Sequence, residues 1–450
     1  MNASDLAIII LAAGKGTRMK SSLHKVLHPL GGRPMLHHLL DTAAPLKPSR
    51  KVIVVGAGKE QVEASVGEQA DIVVQEPQLG TGHAVQVTGD QLRGFDGDVL
   101  ILYGDVPLLK QDTMQKMIDV RAETNAAVVV LGFTPDDAKA YGRLKVGSDG
   151  NLEAIIEFKD ASEDERAITL CNSGIMLLDG VKMFELLDAL DNKNAAKEYY
   201  LTDVVAIAGQ KKLGCVVVEA DEYEVMGINS RSELAEAEAV FQNNRRKYFM
   251  DEGVTLNDPS SVYFSHDTII GRDVTIAPNV VFGPGTEIAD NVTINAFCHI
   301  EGAKIGNGAS VGPFARLRPA AELGRGVKVG NFVEIKKSKI EDGAKISHLS
   351  YIGDARIGKN VNIGAGTITC NYDGYFKYPT DIGEGAFIGS NTALVAPVKI
   401  GAGAIIGAGS VITSDVNADA LAVARGKMKE FGGWAAKFRT NSQNKKNKQG

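Results

Sequence analysis

Cysteine is scarce in this 450-residue chain, tryptophan occurs once, and neither sign of charge dominates. Cys171, Cys215, Cys298 and Cys370 lie far apart and form no CxxC pair, so neither a zinc site nor a disulfide framework is supported. They read as small buried side chains. A net charge of −6 gives no general reason to expect nucleic acid as a partner. Long apolar runs are missing too. The first, Leu6 to Ala13, follows Asp5 instead of a basic segment and is too short to span a bilayer. It reads as a buried strand of a cytoplasmic protein without membrane insertion.

What the chain does have is a beat of six. Ile270, Ile276, Phe282, Ile288, Ile294 and Ile300 follow at that interval, and the count restarts one residue early at Ile305. Val311, Leu317, Leu323, Val329 and Ile335 continue it, then Ile340, Ile346 and Ile352, then Ile357 and Ile363, and finally Ile382 through Ile412. A helix repeats its apolar face at about 3.6 residues and a half-buried strand at about 2, whereas a fixed period of six marks a hexapeptide parallel β-helix. Several of these residues precede glycine, as in Ile357-Gly358 and Ile400-Gly401, where a branched side chain stacks inward and glycine eases the corner.

Residues 1–229 alternate short apolar runs with helix-like segments. Ala7–Leu11, Lys51–Val55, Asp71–Val74, Val99–Tyr103 and Ala126–Leu131 read as strands. Pro34–Thr42, Thr81–Leu92 and Gln111–Thr124 read as helices. That order predicts a mainly parallel sheet covered on both faces, with ligands at the carboxyl ends of its strands. Ser230 and Glu233 have capping-box spacing and open a linker helix over 230–251, on which Leu234, Ala237, Phe241 and Tyr248 share a face. After Trp434, Lys437, Arg439, Lys445 and Lys446 mark a solvated, mobile tail.

The first strand runs into Ala12-Ala13-Gly14-Lys15-Gly16-Thr17-Arg18-Met19, with Lys25 further on. Small residues let backbone N–H groups approach phosphate oxygens, and Arg18 and Lys25 supply neutralising charge. The string is not a Walker A sequence, and Met19 stands at the last glycine position of a dinucleotide fingerprint. The longer LAAGKGTRM, with Pro29 and Gly31-Gly32, resembles the signature of sugar-phosphate nucleotidylyltransferases. Gln75, Leu79-Gly80-Thr81-Gly82, Tyr103-Gly104-Asp105, Tyr141-Gly142-Arg143, Glu157, Asn172-Ser173-Gly174 and Gly227-Ile228-Asn229 follow in the order that family uses.

The chemistry accounts for these residue types. A sugar 1-phosphate oxygen attacks the α-phosphorus of a nucleoside triphosphate, so two polyanions must meet and a hard divalent ion with oxygen ligands is expected. By resemblance, Asp105 and Asn229 hold Mg²⁺, and Lys25 contacts phosphate. Leu11, Ala12, Ala13, Gly14, Gln75, Gly80, Thr81, Tyr103 and Gly104 surround the nucleotide. Gly142, Glu157 and Asn172 lie near the sugar. Ser173 stands where that family's Asn-Thr-Gly places threonine, and the loss of one methyl leaves Asn172 usable.

Within the repeat, His348 follows inward Ile346 by two residues. Arg318, Lys336 and the polar interruption from Cys370 to Asp381, carrying Asn371-Tyr372, set it apart from plain solenoid. An amine attacks a thioester only when neutral, which calls for a base near neutrality, and histidine titrates at about 6.5. Cationic Arg318 and Lys336 suit a sugar phosphate.

From end to end the chain resembles the bacterial bifunctional enzymes that join N-acetylglucosamine-1-phosphate uridylyltransferase to glucosamine-1-phosphate N-acetyltransferase. The resemblance implies an α/β domain with a Rossmann-like mixed sheet over 1–229, the linker helix, and a left-handed parallel β-helix with a basic tail over 252–450. It implies acetyl transfer from acetyl-CoA to glucosamine 1-phosphate, then coupling of N-acetylglucosamine 1-phosphate with UTP. His348 becomes the acetyl-transfer base. Arg318, Lys336, Tyr351 and Asn362 bind the amino sugar, and Ala365, Asn371, Tyr372, Ser390, Ala408 and Arg425 line the acetyl-CoA site. The family assembles as a homotrimer and feeds peptidoglycan and lipopolysaccharide synthesis. The competing reading keeps the nucleotidylyltransferase and makes the solenoid a scaffold or regulatory module. His348, Arg318, Lys336 and the Asn371-Tyr372 loop weigh against it, because a scaffold needs none of them together.

Overall fold

A computed structural model of the chain describes residues 5–138, 141–194 and 196–449. They divide into two compact units, the first ending at Lys247 and the second beginning at Tyr248.

The first unit is built on a nine-stranded sheet. Its main path runs Cys215–Ala220, Val128–Phe133, Cys171–Asp179, Asp98–Tyr103, Leu6–Ala12, Arg50–Val55, Asp71–Val74. Only Cys171–Asp179 runs against its neighbours on that path. The interior strand Leu6–Ala12 is buried at every residue. Its side chains alternate between two cores: Ile8 and Ile10 pack with Leu36 and Val62, whereas Ala7, Ile9 and Leu11 pack with Val85 and Leu92. Each fully buried Leu or Ile contributes about 1.5–3 kcal/mol, which is why a strand covered on both faces reads as an unbroken apolar run.

Two expected elements differ from the sequence reading. The strand expected at Ala126–Leu131 lies at Val128–Phe133. The helix expected over 81–92 is two pieces, Thr81–Gln86 and Gly89–Leu92. Thr88 separates them, its hydroxyl donating to the Val85 carbonyl at 2.7 Å and competing with the helical pattern. The helix Arg231–Asp251 is continuous. Ser230 Oγ accepts from the Glu233 N–H, but the Glu233 carboxylate takes the Asn229 N–H, so the capping box is completed one residue earlier than its usual form.

The second unit is a three-walled parallel solenoid. The first wall has ten strands, from Thr255–Leu256 to Leu421–Ala422. The second has eight, from Val281–Phe282 to Val411–Ile412, and the third has eight, from Ile269–Ile270 to Val398–Ile400. From Ile276 onward every apolar residue of the beat is buried in one continuous core, with Ile270 packed partly exposed against it. Coils stack like on like: Ile276 over Ile294, Ile335 over Ile352, Ile346 over Ile363. The early restart at Ile305 is absorbed at the corner between second and third walls, because Ile288 still pairs with Ile305. The interruption leaves the wall as a loop in which the Tyr378 N–H returns to the Asn371 carbonyl, and Ile357 pairs with Ile382 beyond it.

Among the solenoid's glycines the neighbouring coil comes nearest at Gly330, where an added Cβ would lie 1.9 Å from the Ser347 carbonyl oxygen. Gly330→Ala is therefore expected to lower stability by about 1–3 kcal/mol, the usual cost of overpacking, as a lower thermal midpoint. An unchanged midpoint would mean that the coils can part there without cost. The tail also differs from expectation. Residues Trp434–Gln449 form a helix, with Trp434 stacked on Phe438 one turn later at 5.3 Å, and its described side chains are exposed.

Candidate active sites

In the first unit the strands Asp98–Tyr103, Leu6–Ala12, Arg50–Val55 and Asp71–Val74 lie side by side and parallel, so their carboxyl ends share one edge. A cavity of about 490 Å³ opens there. Leu11, Ala12, Ala13, Gly14, Lys25, Gln75, Gly80, Thr81, Tyr103 and Asp105 all line it. Tyr103 leads into Gly104, whose N–H donates to Leu11 O at 2.9 Å and whose missing Cβ leaves room for Val26.

At the cavity floor Lys25 Nζ donates to Asp105 Oδ2 at 2.5 Å and to Asn229 Oδ1 at 3.1 Å. Asn229 reaches this place because the Ile228 N–H donates to the Asp105 carbonyl at 2.8 Å. Gln75 is buried, with its amide donating to Gly80 O at 2.8 Å. Gly80 sits at φ 110°, with Tyr199 O only 2.5 Å from where a Cβ would stand, so no other residue fits. The Tyr103 phenol is pushed well above its ordinary range, chiefly by burial and then by Asp105 and Glu157, and keeps its proton.

Gly142, Glu157 and Asn172 form a second cluster. The Asn172 N–H donates to Gly142 O at 2.8 Å, and a Cβ on Gly142 would lie 3.6 Å from Glu157 Oε1. Ser173 fills the threonine position: its hydroxyl donates to Leu131 O at 2.6 Å and accepts from the Ile175 N–H, while Asn172 Oδ1 accepts from the Gly174 N–H. Burial, then Asp160 and Asp203, raise the Glu157 carboxyl above its ordinary 4.5. The native chain thus holds this proton more tightly than the unfolded chain. The resulting stability is fully present below pH 4.5 and is lost as pH rises through the raised value. Glu157→Gln is expected to raise the melting temperature at neutral pH, with the difference from the native protein fading as the pH falls toward 4.5. A constant difference across that range would assign the effect to packing instead.

One expected residue stands apart. Arg18 is exposed and does not line the cavity, whereas Lys15, Gln78 and Glu198 do and were not singled out by the sequence. Lys15 belongs to the glycine loop itself. Gln78 donates to the Ala13 carbonyl, and nothing in its local sequence marks it.

On the solenoid, His348 ends the strand Lys345–His348 and is exposed. Its carbonyl accepts from the Gly366 N–H, Ala365 O from the Asn391 N–H, Ser390 O from the Gly409 N–H, and Ala408 O from Arg425. His348, Ala365, Ser390, Ala408 and Arg425 therefore form one column along the corner between first and second walls, with Asn362 one strand end away on the first wall. Arg318, Lys336 and Asn371 lie at the opposite edge of the second wall, at or just beyond the ends of its strands, with Tyr372 following in the loop. Tyr351 begins a strand between the two edges. Asn371 is buried, donating to Asp354 Oδ2 at 2.5 Å. Arg318 donates to Glu334 at 2.9 Å. Lys377 and then Arg318 push the Lys336 ammonium below its ordinary value, the mark of positive charge gathered without enough counter-charge. Lys377, inside the loop, was not singled out by the sequence.

A glycine loop and carboxylate at the carboxyl edge of such a sheet, followed along the chain by a hexapeptide solenoid, define a nucleotidyltransferase fused to a solenoid transferase. Residues 8–197 match the MobA-like NTP transferase domain, and residues 267–302, 302–337 and 379–414 match the bacterial transferase hexapeptide repeats. The chain is similar to the bifunctional protein GlmU of Paramagnetospirillum magneticum, 57% identical over 449 residues and covering 100% of each chain. It is 56% identical over 444 residues to that of Sphingopyxis alaskensis, covering 98% of each, and 58% identical over 436 residues to that of Rhodospirillum rubrum, covering 97% of each. The chain belongs to the GlmU family of bifunctional proteins. It is an enzyme with uridylyltransferase and acetyltransferase activities, and its second unit is the family's left-handed β-helix. No helix among the described residues is long and apolar enough to cross a membrane.

Proposed function

We propose that the chain makes UDP-N-acetylglucosamine in the cytoplasm by two consecutive transfers, supplying peptidoglycan and lipopolysaccharide synthesis. Residues 1–229 carry uridylyl transfer, 230–251 link, and 252–450 carry acetyl transfer. The observation that carries the reading is the Lys25 ammonium bridging Asp105 and Asn229 on the floor of the glycine-loop cavity.

In uridylyl transfer an oxygen of N-acetylglucosamine 1-phosphate forms a bond to the α-phosphorus of UTP while the bond to the pyrophosphate oxygen breaks. Lys25 and Lys15 bring positive charge to the phosphates, and Gly142, Glu157 and Asn172 orient the sugar. The Asp105 carboxylate and Asn229 carbonyl are hard oxygen donors that suit Mg²⁺, and among the described residues no group of three or more His, Cys, Asp or Glu offers a denser cage. Held by these residues, such an ion would supply charge for the leaving pyrophosphate.

In acetyl transfer the neutral amine of glucosamine 1-phosphate attacks the thioester carbonyl of acetyl-CoA. His348 takes the amine proton, the carbon–nitrogen bond forms and the thiolate of CoA leaves. Arg318, Lys336 and Lys377 hold the phosphate, and their mutual repulsion is relieved when a dianion enters. The proposed sugar and CoA residues divide between the two edges of one wall, which supports a homotrimer in which one chain's His348 edge faces a neighbour's Arg318 edge. An exposed column at the His348 corner fits the same assembly. Phe297, Phe314 and Phe332 stack there at 4.8 and 5.2 Å in the left-handed region, where unburied bulky residues are costly.

The test is one assay containing glucosamine 1-phosphate, acetyl-CoA, UTP and Mg²⁺, each omitted in turn. UDP-N-acetylglucosamine should appear only with all four. Acetylated sugar phosphate should accumulate without UTP, and its failure to do so would remove the acetyl-transfer half.

A further inference from the structure

Two neighbouring coils place polar side chains at one corner position, and they touch. Asn331 and His348 are aligned across the pairing of Lys328–Asn331 with Lys345–His348. Asn331 Oδ1 lies 2.7 Å from His348 Nδ1. The coils bordering this pair carry Pro313 and Ala365 at the same position, so building the corner does not call for an amide. The contact is also held on both sides of the imidazole. The Leu349 N–H donates to Asn331 O at 3.0 Å, and His348 O accepts from Ser350 Oγ at 2.8 Å and the Gly366 N–H at 3.3 Å. Glycine at 330 lets the two coils approach closely beside the pair.

We infer that Asn331 is a positioning residue for acetyl transfer, acting through His348 by fixing which ring nitrogen carries hydrogen. The inference rests on His348 being the base. A carbonyl oxygen has only lone pairs to offer, so this hydrogen bond requires Nδ1 to donate. Nε2 is then left with its lone pair. Among the described residues it has no protein partner and stands at the exposed corner, ready to take the proton of an incoming amine. As the imidazolium forms, the Asn331 carbonyl still faces an N–H, so protonation breaks no contact. An imidazole in the wrong tautomer would present N–H to the amine and accept nothing from it.

The test compares Asn331→Ala, Asn331→Asp and His348→Ala in the full-length enzyme, with thermal midpoint and uridylyl transfer as controls on folding. Asn331→Ala should lower kcat for acetyl transfer by about 10–100-fold, part of the range ascribed to general-base catalysis, with KM for glucosamine 1-phosphate and for acetyl-CoA little changed. Aspartate can only accept, so Asn331→Asp should recover most of that kcat. The added charge should also move the acid limb of the rate profile to higher pH, because a carboxylate beside the ring favours imidazolium. Asn331→Ala at native kcat while His348→Ala is inactive overturns the inference and leaves the base intact. Asn331→Asp as slow as Asn331→Ala also overturns it, since an amide donating to Nδ1 would have been the group that mattered. An active His348→Ala instead overturns the reading on which the inference rests.

Discussion

His348→Ala is expected to lower kcat for acetyl transfer by about 10²–10⁴-fold, or about 2.7–5.4 kcal/mol of transition-state stabilisation, while uridylyl transfer stays unchanged. The separation follows from the placement of the two sites. His348 is exposed on the solenoid corner, and the glycine-loop cavity is lined entirely by residues of the first unit. The inward neighbours Ile346 and Ile352 hold the coil without help from the imidazole, so the variant should fold and keep its thermal midpoint. Coupled assays that follow free CoA and pyrophosphate separately read both activities on one sample. Acetyl transfer surviving at more than a tenth of the native rate would make His348 a binding residue or none, and would require a different base.

Asp105→Ala carries the second large effect, in the opposite half. It removes the carboxylate proposed to hold the metal ion and leaves the largely buried Lys25 without its counter-charge. An uncompensated charge in such a place is unfavourable, and Lys25 is expected to swing from the floor of the site. Uridylyl transfer should fall by about 10²–10³-fold, the scale on which a site loses a principal electrostatic contact. Mn²⁺ binding in the presence of UTP, followed by electron paramagnetic resonance, should weaken with it. Acetyl transfer should persist. Asp105→Asn keeps an oxygen donor without the charge and should fall between the two. Full metal-dependent turnover in Asp105→Ala would dismiss this carboxylate from the reaction.

Much of this was legible before any coordinates. The period of six located the aliphatic side chains stacked from coil to coil in the solenoid core, because a side chain that recurs at the same point of each coil has one environment. It did not mark the smaller inward residues two positions earlier, such as Val274 and Val292. Of the polar interruption at 370–381, residues 371–379 proved to be a loop, with Cys370 ending one strand and Thr380 beginning the next. The motifs at Gly14, Gln75 and Asp105 fell just beyond strand ends, as a parallel sheet requires, Gly80 fell at the start of a helix, and all four residues line one cavity. Other positions gave no local sign. Arg18 follows the glycine loop closely yet is exposed and does not line the cavity, whereas Gln78 donates to the Ala13 carbonyl. Thr88 split an expected helix because its hydroxyl competes for a carbonyl, an effect that apolar spacing does not register. Asn331 is one polar residue between Gly330 and Phe332, and only the stacking of coils reveals that it lies beneath the histidine.

The amino-acid order by itself determined the two architectures and the chemistry each half needs, since periodicity, glycine placement and the types of charged residue are local properties of a chain. Only the tertiary structure decided which of those residues meet. Lys25 finds Asp105 across 80 positions and Asn229 across 204, and His348 finds Asn331 across 17. Such meetings depend on the order in which strands enter a sheet and on the length of each coil. Ile276 meets Ile294 whereas Ile288 meets Ile305 one residue sooner, because a corner takes up the difference, and which polar side chains come to share a corner is settled only by that stacking.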